Sequence, residues 1–588
     1  MSHQISEPLN HISELFGKKV GSWPYSFRNL KKRTDNYVKD PSKSPAAFDP
    51  SSSFLLELKN NRDQIISIND TPVQQVPKNT LVRFRCMVQD TGLGQEMFIS
   101  AYEKLDKNGD MKLHCYRYTD DAIETEINDQ HTMQNDYIAE RNIVYCVSPP
   151  GESKWAKNAY NVNFGLLSDR INQLEIKEAN QTTVNKYPLP GQDHTSAVVK
   201  FYSNMAENIR VGQLIEIIGI KGHDLQSVSH QDQHGFDSVL DSFSNVPVIH
   251  AIAFNNLEAI NSCPLVNYEE VRYQAHDVRN QLIDYISSTL GGDTLVAEYI
   301  LLQLLSRVTV KSGGLKIGNF TLNISGFPAY QTTEAEKKTT LLTLNNPSSK
   351  FLADVLQNLS VHHVNLPLTI DGLNKIKFSP KSINENLEAG VLQLIDGTVL
   401  LVDETVLDEG QLVDPGVRNF RALQNVIQNQ TLTYEFPYSQ YDFDTDISIL
   451  SLSSSKSMLP NHCTIPLEPI HSLEDNSAEN LAQPSQETLN LFRKFIHAGK
   501  YGSYDISNEV SEYIQNSFVE ERKRATENKI ELPTQEDLMY HMDLARLAAA
   551  SFGESNLTPE RYDYVVDLDK KRKSRILNAS NTASQADK

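Results

Sequence analysis

Cysteine is scarce in this chain of 588 residues. Its five copies, Cys86, Cys115, Cys146, Cys263 and Cys463, are odd in number, scattered and without a CxxC pair. That spacing argues against a disulfide framework and a zinc site. No apolar run approaches the ~20 residues that a membrane-spanning helix needs. The polar start MSHQISEPLN lacks the apolar stretch of a signal peptide, so the expectation is a soluble intracellular protein with no membrane partner. Positive charge is also short, with 55 Lys and Arg against 75 Asp and Glu and a formal net charge of −20. A repulsive field of that sign opposes tracking of a phosphate backbone, and direct nucleic-acid binding is not expected.

What is present raises the question of an ATPase. The stretch VLLVDETVLDEGQL, Val399 to Leu412, is an aliphatic run ending in an Asp-Glu pair. At the carboxyl end of a buried parallel strand, Asp403 would hold Mg²⁺ and Glu404 would polarise water beside a γ-phosphate. Both roles require a GxxxxGK[ST] cradle of backbone N–H groups and a lysine. After the strand-like FTLNISG comes FPAYQTTEAEKKTT, where Lys338-Thr339 stands twelve residues beyond Gly326 with no glycine before it. Gly313 to Gly318 has the glycine interval but is followed by Asn319-Phe320 and precedes the strand. Neither is a phosphate loop. The plainer reading of Asp403-Glu404 is an acidic strand end that caps the next segment. His362-His363 and the group His230, Asp232, His234 are the remaining metal-like clusters; the second lies in QSVSHQDQHGFDS, which reads as a solvated loop. No catalytic, nucleotide-binding or metal residue is assigned, and no cofactor is expected.

Length predicts about three or four domains. TLVRFRCMVQD alternates Val82, Phe84, Cys86 and Val88 with Arg83, Arg85, Met87 and Gln89, the period-two signature of a half-buried strand. Strand patterns recur at MKLHCYRY, RNIVYCVSPPG, SAVVKFYSN, RVGQLIEIIGIKG and VPVIHAIAFNNLE, which predicts a small barrel or sandwich. VGQLIEIIGI fits an OB-type barrel, with a tight Val-Gly turn and a strand ending at Gly219. Aromatics interleaved with Lys and Arg are too few on these strands for a nucleic-acid face. Farther on, Gly291-Gly292-Asp293 reads as a C-cap followed by an N-cap, and strands are expected at 320–325, 398–402 and 446–455. Beyond about 485 the pattern is helical, with a capping box at Thr534 and Asp537 and an N-terminal signal at Thr558-Pro559-Glu560.

Barrel, α/β module and helical segment follow the order of MCM replicative helicase subunits. LQNVIQNQTLTYEFPYSQYDFDTDISILSLSSS and LPTQEDLMYHMDLARLAAASFGESNLTPERYDYVVDL resemble the helicase stretch after the Walker B strand and the helicase lid. The lid's sensor arginine falls on Asp543, an acid that repels phosphate. VRFRCMVQD, YCVSPPGESKWAKNAY, PLPG, GGDTLVAEYILLQLLS, GNFTLNISG and LLVDETVLDEGQLVDPGVRNFRALQNVI carry a closer resemblance, to the minichromosome-maintenance complex-binding proteins, from about Val76 to Arg575. The first ~60 residues and the short polar linker before PLPG depart from it.

The resemblance implies an α+β multidomain chain, MCM-like overall: an N-terminal helical and linker region at 1–75, an OB-like β-barrel domain at 76–255 with a polar insertion near 165–187, a degenerate AAA+-like α/β module without a P-loop at 256–485, a C-terminal helical lid at 486–575 and a disordered tail at 576–588. It also implies a nuclear, non-enzymatic partner of MCM helicase subunits. That partner would act in assembly, protection or unloading of MCM complexes and affect sister-chromatid cohesion. An unconventional ATPase and a nucleic-acid-binding OB protein of the replication machinery are the alternatives. Lys570, Lys571, Arg572, Lys573 and Arg575 form a candidate nuclear import signal or the cationic last turn of a helix, with Lys31-Lys32-Arg33 as a weaker second. Asp403, Glu404, Asp408 and Glu409 form a candidate partner-binding acidic edge, followed by a helix with Asp414 as N-cap and Pro415 at N1.

Overall fold

The computed structural model describes residues 3–19, 47–105, 111–121, 137–160, 185–224, 246–257, 274–312, 315–331, 342–384, 386–473, 483–529 and 531–586. His230, Asp232 and His234, Lys31 to Arg33, Lys338-Thr339, Cys263 and most of the 165–187 insertion lie outside them.

The first half closes a ring of strands: β1 (Leu81–Asp90), β2 (Gln95–Ile99), β3 (Ile138–Val147), β4 (Ser196–Tyr202), β5 (Leu214–Asp224) and β6 (Pro247–Asn256). The order β1-β5-β6-β4-β3 returns to β1 through a β1–β3 pairing, and β2 extends β3. All ring contacts are antiparallel except β4 with β6. Val82, Phe84, Cys86 and Val88 point into the ring with Val199, Ile217 and Ile249. The expected half-buried β1 is buried along its whole length. On one side helices α1 (Pro8–Lys19) and α2 (Ser51–Asn61) pack Ile12, Phe16, Phe54 and Leu58 on the ring. On another, Met87 meets Ile395 of the second half. The Val211-Gly212 turn is present, with Gly212 at φ +82°. β5 does not end at Gly219; it continues to Asp224 with a register shift there. A side chain at Gly219 would meet the His250 carbonyl oxygen at 2.5 Å, so this is a close backbone approach.

The second half is built on a five-stranded, all-parallel sheet of β7 (Leu322–Ser325), β8 (His363–Pro367), β9 (Val399–Asp403), β12 (Ser448–Leu452) and β13 (Cys463–Pro466), in the order β8-β9-β12-β7-β13. Between β9 and β12 lies the hairpin of β10 (Thr431–Phe436) and β11 (Ser439–Asp444). β8, HVNLP, and β13, CTIP, were not expected, since each carries a proline and neither holds an unbroken aliphatic run. The sheet is covered on both faces, as a parallel sheet must be. Val399 and Leu401 enter one core with α4 (Ala275–Ser287), α5 (Thr294–Leu304) and α6 (Pro347–Leu359). Leu400 and Val402 enter the opposite core with α7 (Ile370–Lys375) and α8 (Asp414–Asn429).

The last helices, α9 (Gln486–Tyr501), α10 (Asn508–Glu527), α11 (Gln535–Ser551) and α12 (Pro559–Ala586), are not a lid apart. Phe492, Leu544, Leu547 and Val565 share the core of α4 and α5. The caps follow the local chemistry. Gly291 and Gly292 have φ +63° and +86°, Asp293 accepts from Val296 N at 3.2 Å, the Thr534–Asp537 capping box forms, and Thr558 accepts from Arg561 N at 3.2 Å. At α8 the cap differs: Val413 is the N-cap and Asp414 lies one residue inside, paired with Arg418 at 2.6 Å. α12 runs to Ala586, past residue 576, where a disordered tail was expected.

Candidate functional site

Asp403 ends β9 and is 0% exposed. Its Oδ1 accepts from the Thr405 amide at 3.0 Å and the Thr405 hydroxyl at 2.6 Å. Asn346, whose side-chain oxygen caps α6 through Ser348 N at 3.0 Å, donates to the Thr405 hydroxyl at 2.8 Å and to the Pro328 carbonyl at 2.9 Å. The loop after β7, the start of α6 and the end of β9 are thus knitted through this one side chain. Glu404, 7% exposed, accepts from the Ser457 hydroxyl and from Met458 N at 2.9 Å. Burial pushes both carboxyls above the usual range; hydroxyls of Thr405 and Ser349 oppose the shift at Asp403, and Ser457 opposes it at Glu404.

In an open parallel sheet a ligand binds outside the carboxyl ends of the strands. Here, among the described residues, Phe327 N donates to the Ser453 carbonyl at 3.0 Å and Tyr330 N to the Thr405 carbonyl at 3.1 Å across that edge. The acid pair acts as a strand-end cap, the plainer of the two sequence readings. Asp543, on α11, has Arg546 as its electrostatic neighbour and does not join the pair's hydrogen bonds.

The acidic edge expected from sequence therefore divides. Asp403 and Glu404 are buried by the loops they hold and cannot present charge to a partner. Asp408 and Glu409 are exposed, with Asp408 accepting from Ile370 N at 3.4 Å. The hairpin after α8 adds exposed aromatics: Phe436, Tyr441 and Tyr438, the last 101% exposed at the turn.

The basic cluster divides in the same way. Lys570 pairs with Asp567 at 3.1 Å and is exposed, as is Lys571. Arg572 pairs with Asp569 at 2.7 Å and donates to the Thr464 carbonyl at 3.0 Å. Lys573 bridges Asp537 and Asp569 at 3.3 and 3.1 Å. Arg575 pairs with Asp293 at 2.6 Å and Glu468 at 3.2 Å. Arg572 and Arg575 therefore hold α12 to the sheet, whereas Lys573 is paired but exposed.

A seam between the halves escaped the sequence reading. Gln89 donates to the Leu387 carbonyl at 3.0 Å and Gln393 to the Gln89 carbonyl at 3.1 Å. Buried ion pairs join Arg85 to Glu152 and Lys186 to Asp90. His363 N donates to the Gly151 carbonyl at 2.7 Å and Ser153 N to the Val361 carbonyl at 2.9 Å. The Trp155 indole N–H donates to the Ser360 carbonyl at 3.1 Å while Arg493 covers its ring at 4.2 Å. Gly151 has φ +69°, and a Cβ there would lie 2.5 Å from Val364, so only glycine fits. The strings SPPGESKW and PLPG are this seam. Their glycines and prolines were the available signal, but nothing in one sequence names their contact. The seam also buries His362 and His363; His363 is hydrogen-bonded to Asn365 at 2.7 Å.

These features define a mixed α/β protein of several sheets, with a closed ring of strands joined to a parallel sheet and a buried acid pair at the end of a central strand. The chain belongs to the Mini-chromosome maintenance replisome factor family, whose sequence profile matches residues 53–176 and 167–576. It is 28% identical over 623 residues to the mini-chromosome maintenance complex-binding protein of Bos taurus, covering 89% of this chain and 93% of the relative. The protein of that name from Danio rerio is 28% identical over 659 residues, 97% of each chain. The Arabidopsis thaliana protein is 25% identical over 579 residues, 87% of this chain and 90% of the relative.

Proposed function

We propose that this chain is a non-enzymatic binding partner of MCM replicative helicase subunits, acting in the nucleus in the assembly, protection or unloading of MCM complexes, with consequences for sister-chromatid cohesion. The observation that carries the non-enzymatic reading is the sealing of Asp403 and Glu404 by Thr405, Ser457 and Met458. The names of the relatives support the partner. We read the parallel sheet as a degenerate AAA+-like module, and the closed ring of five strands as an OB-like barrel. Ring subunits associate through heterologous surfaces, and a chain with one such surface occupies a neighbour's place without extending the ring.

For the contact we favour Asp408 and Glu409 together with the hairpin aromatics, since exposed Tyr and Phe are the side chains that dominate binding energy once desolvated. Affinity purification of the tagged full-length chain from cells tests the reading, and recovery of MCM subunits in defined ratio is expected. Asp408→Lys with Glu409→Lys lowers recovery more at low than at high ionic strength, because exposed charges are screened by salt. Absence of MCM subunits from the purified material at every salt concentration would sink the reading.

A further inference from the structure

The hairpin of β10 and β11 ends a second sheet of four strands, in the order Asn386–Glu388, Lys381–Ile383, β10, β11. Its first margin is taken, because the Leu387 amide donates to Asp90 at 3.3 Å and the Leu387 carbonyl accepts from Gln89 at 3.0 Å. Its second margin is β11, which among the described residues pairs with β10 alone. The register settles which of its backbone groups point outward. Residues of an antiparallel pair alternate between bonding across it and facing away, and two bonds fix the phase. Thr445 N donates across to the Gln430 carbonyl at 2.9 Å, while Glu435 N donates away, to the Pro380 carbonyl at 3.0 Å. Counting from both, Gln440, which lies opposite Glu435, and then Asp442 and Asp444 turn their amides and carbonyls outward. All three residues are exposed. Among the described residues none of these outward groups has a backbone partner.

Such a margin is normally guarded by charge, short length or a cover. β11 carries charge, but also aromatic side chains that guarding does not require. Side chains alternate between the faces of a sheet. On one face Tyr434 meets Phe443 with ring centres at 4.5 Å and Phe436 meets Tyr441 at 5.7 Å, both edge to face, and Phe436 and Tyr441 remain exposed. The other face carries Gln440, Asp442 and Asp444. Asp444 is paired with Lys316 at 2.5 Å, whereas Asp442 accepts from the Thr433 hydroxyl at 2.6 Å and forms no ion pair among the described residues.

This pattern selects the occupant. A helix satisfies its own backbone and has no use for the outward amides and carbonyls. A second copy of this chain, pairing antiparallel through β11, would set Asp442 and Asp444 against the same carboxylates, and like charges across strands are destabilising. A phosphate backbone is repelled by the same acids. We propose that β11 accepts an added strand from a partner protein, an extended segment alternating apolar and basic residues. Its backbone would bond to Gln440, Asp442 and Asp444, its apolar side chains would lie beside Tyr441 and Phe443, and its Lys or Arg side chains beside Asp442. This mode of binding rests on the partner contact proposed above for the hairpin and adds how that partner is held.

Titration of the full chain with a labelled, end-capped octapeptide of alternating lysine and valine, followed by fluorescence anisotropy, tests this. Octalysine and the alternating peptide with N-methylated amides are the controls. Saturable binding of the alternating peptide is expected, at least tenfold tighter than either control. Gln440→Pro removes one outward N–H without changing charge, at a margin position where proline is tolerated, and should weaken binding about tenfold, the cost of one unmade hydrogen bond. Asp442→Lys should weaken it more at low than at high salt. Hydrogen exchange gives a readout that needs no variant: the amides of Gln440, Asp442 and Asp444 should exchange fast in the chain alone and slowly once peptide is bound. Absence of saturable binding, equal binding of either control, or protection of those three amides before peptide is added would overturn the proposal. These measurements use the purified chain, so their failure leaves recovery of MCM subunits from cells to decide the contact itself.

Discussion

Lys186 and Asp90 form an ion pair sealed between the barrel and the parallel-sheet half, their side chains 1% and 4% exposed. The carboxylate also accepts from Leu387 N at 3.3 Å, so one acid binds the segment before PLPG to the second half. Burial depresses the Lys186 ammonium and Asp90 holds it up. Lys186→Met leaves that carboxylate buried without its cation and should cost about 3–5 kcal/mol, the usual result of breaking a buried pair. Urea denaturation measures it; a loss below about 1 kcal/mol, the range of an exposed pair, would mean the pair does not hold the seam.

Stability should fall on mild acidification because of the seam's histidines. Burial lowers His363 from 6.5 to about 4, against the hydrogen bond it donates to the Asn365 side-chain oxygen, and burial with Arg85 lowers His362 to about 3. Above pH 6.5 both folded and unfolded chains hold neutral rings and the difference vanishes. As pH falls from there the unfolded chain takes protons that the folded chain refuses, so stability drops until the folded values are reached. Asp403 and Glu404, shifted upward, work in the opposite sense, which makes a single variant the proper comparison. His363→Gln should flatten the decline in melting temperature between pH 7 and pH 4 relative to the parent. Parallel curves would rule out a protonation penalty at this ring.

The basic cluster on α12 allows import and folding to be separated. Lys570→Ala with Lys571→Ala alters exposed side chains and should leave thermal stability within about 0.5 kcal/mol while moving a fluorescent fusion from nucleus to cytoplasm. Arg575→Ala instead strips Asp293 of its 2.6 Å partner and should lower the melting temperature. Full nuclear signal in the lysine variant would assign the cluster to holding the helix alone.

At the end of β9, Asp403→Ala should weaken folding, since it unties Thr405 and through it Asn346, and should not change any nucleotide chemistry. Calorimetry with Mg²⁺ and ATP is expected to give no heat that depends on Asp403, and phosphate-release assays no turnover. Micromolar Mg²⁺-dependent binding abolished by Asp403→Ala would reverse the assignment of the pair as a strand-end cap.

Period and cap chemistry made much of the architecture legible. Alternation in TLVRFRCMVQD gave β1, and Gly291-Gly292-Asp293 and Thr534 gave helix ends, because those signals are local. Burial of the second face of β1 was not legible, since Arg83, Arg85 and Gln89 read as solvent-facing until Glu152, Glu216 and the Leu387 carbonyl supply partners. The same blindness affected the charge clusters. Asp403 beside Glu409, or Arg572 beside Lys571, look alike in a string, and only tertiary packing separates a buried tie from a surface charge.

The parallel sheet has two margins, β8 and β13, and each would offer unpaired amides and carbonyls to a strand from another molecule. Segment 151–153 bridges the first through Glu152 and His362. The second is met by guanidinium groups, Arg572 on the Thr464 carbonyl and Arg575 on the Pro466 carbonyl. One cover is synthesised well before the sheet and the other after it. While the chain leaves the ribosome, the β13 margin stays open until α12 emerges, and a chain truncated before residue 572 keeps it open permanently. Such a truncation should self-associate, and helper proteins that shield exposed strand margins should be needed most during the last ~100 residues of synthesis, a matter of several seconds at usual elongation rates.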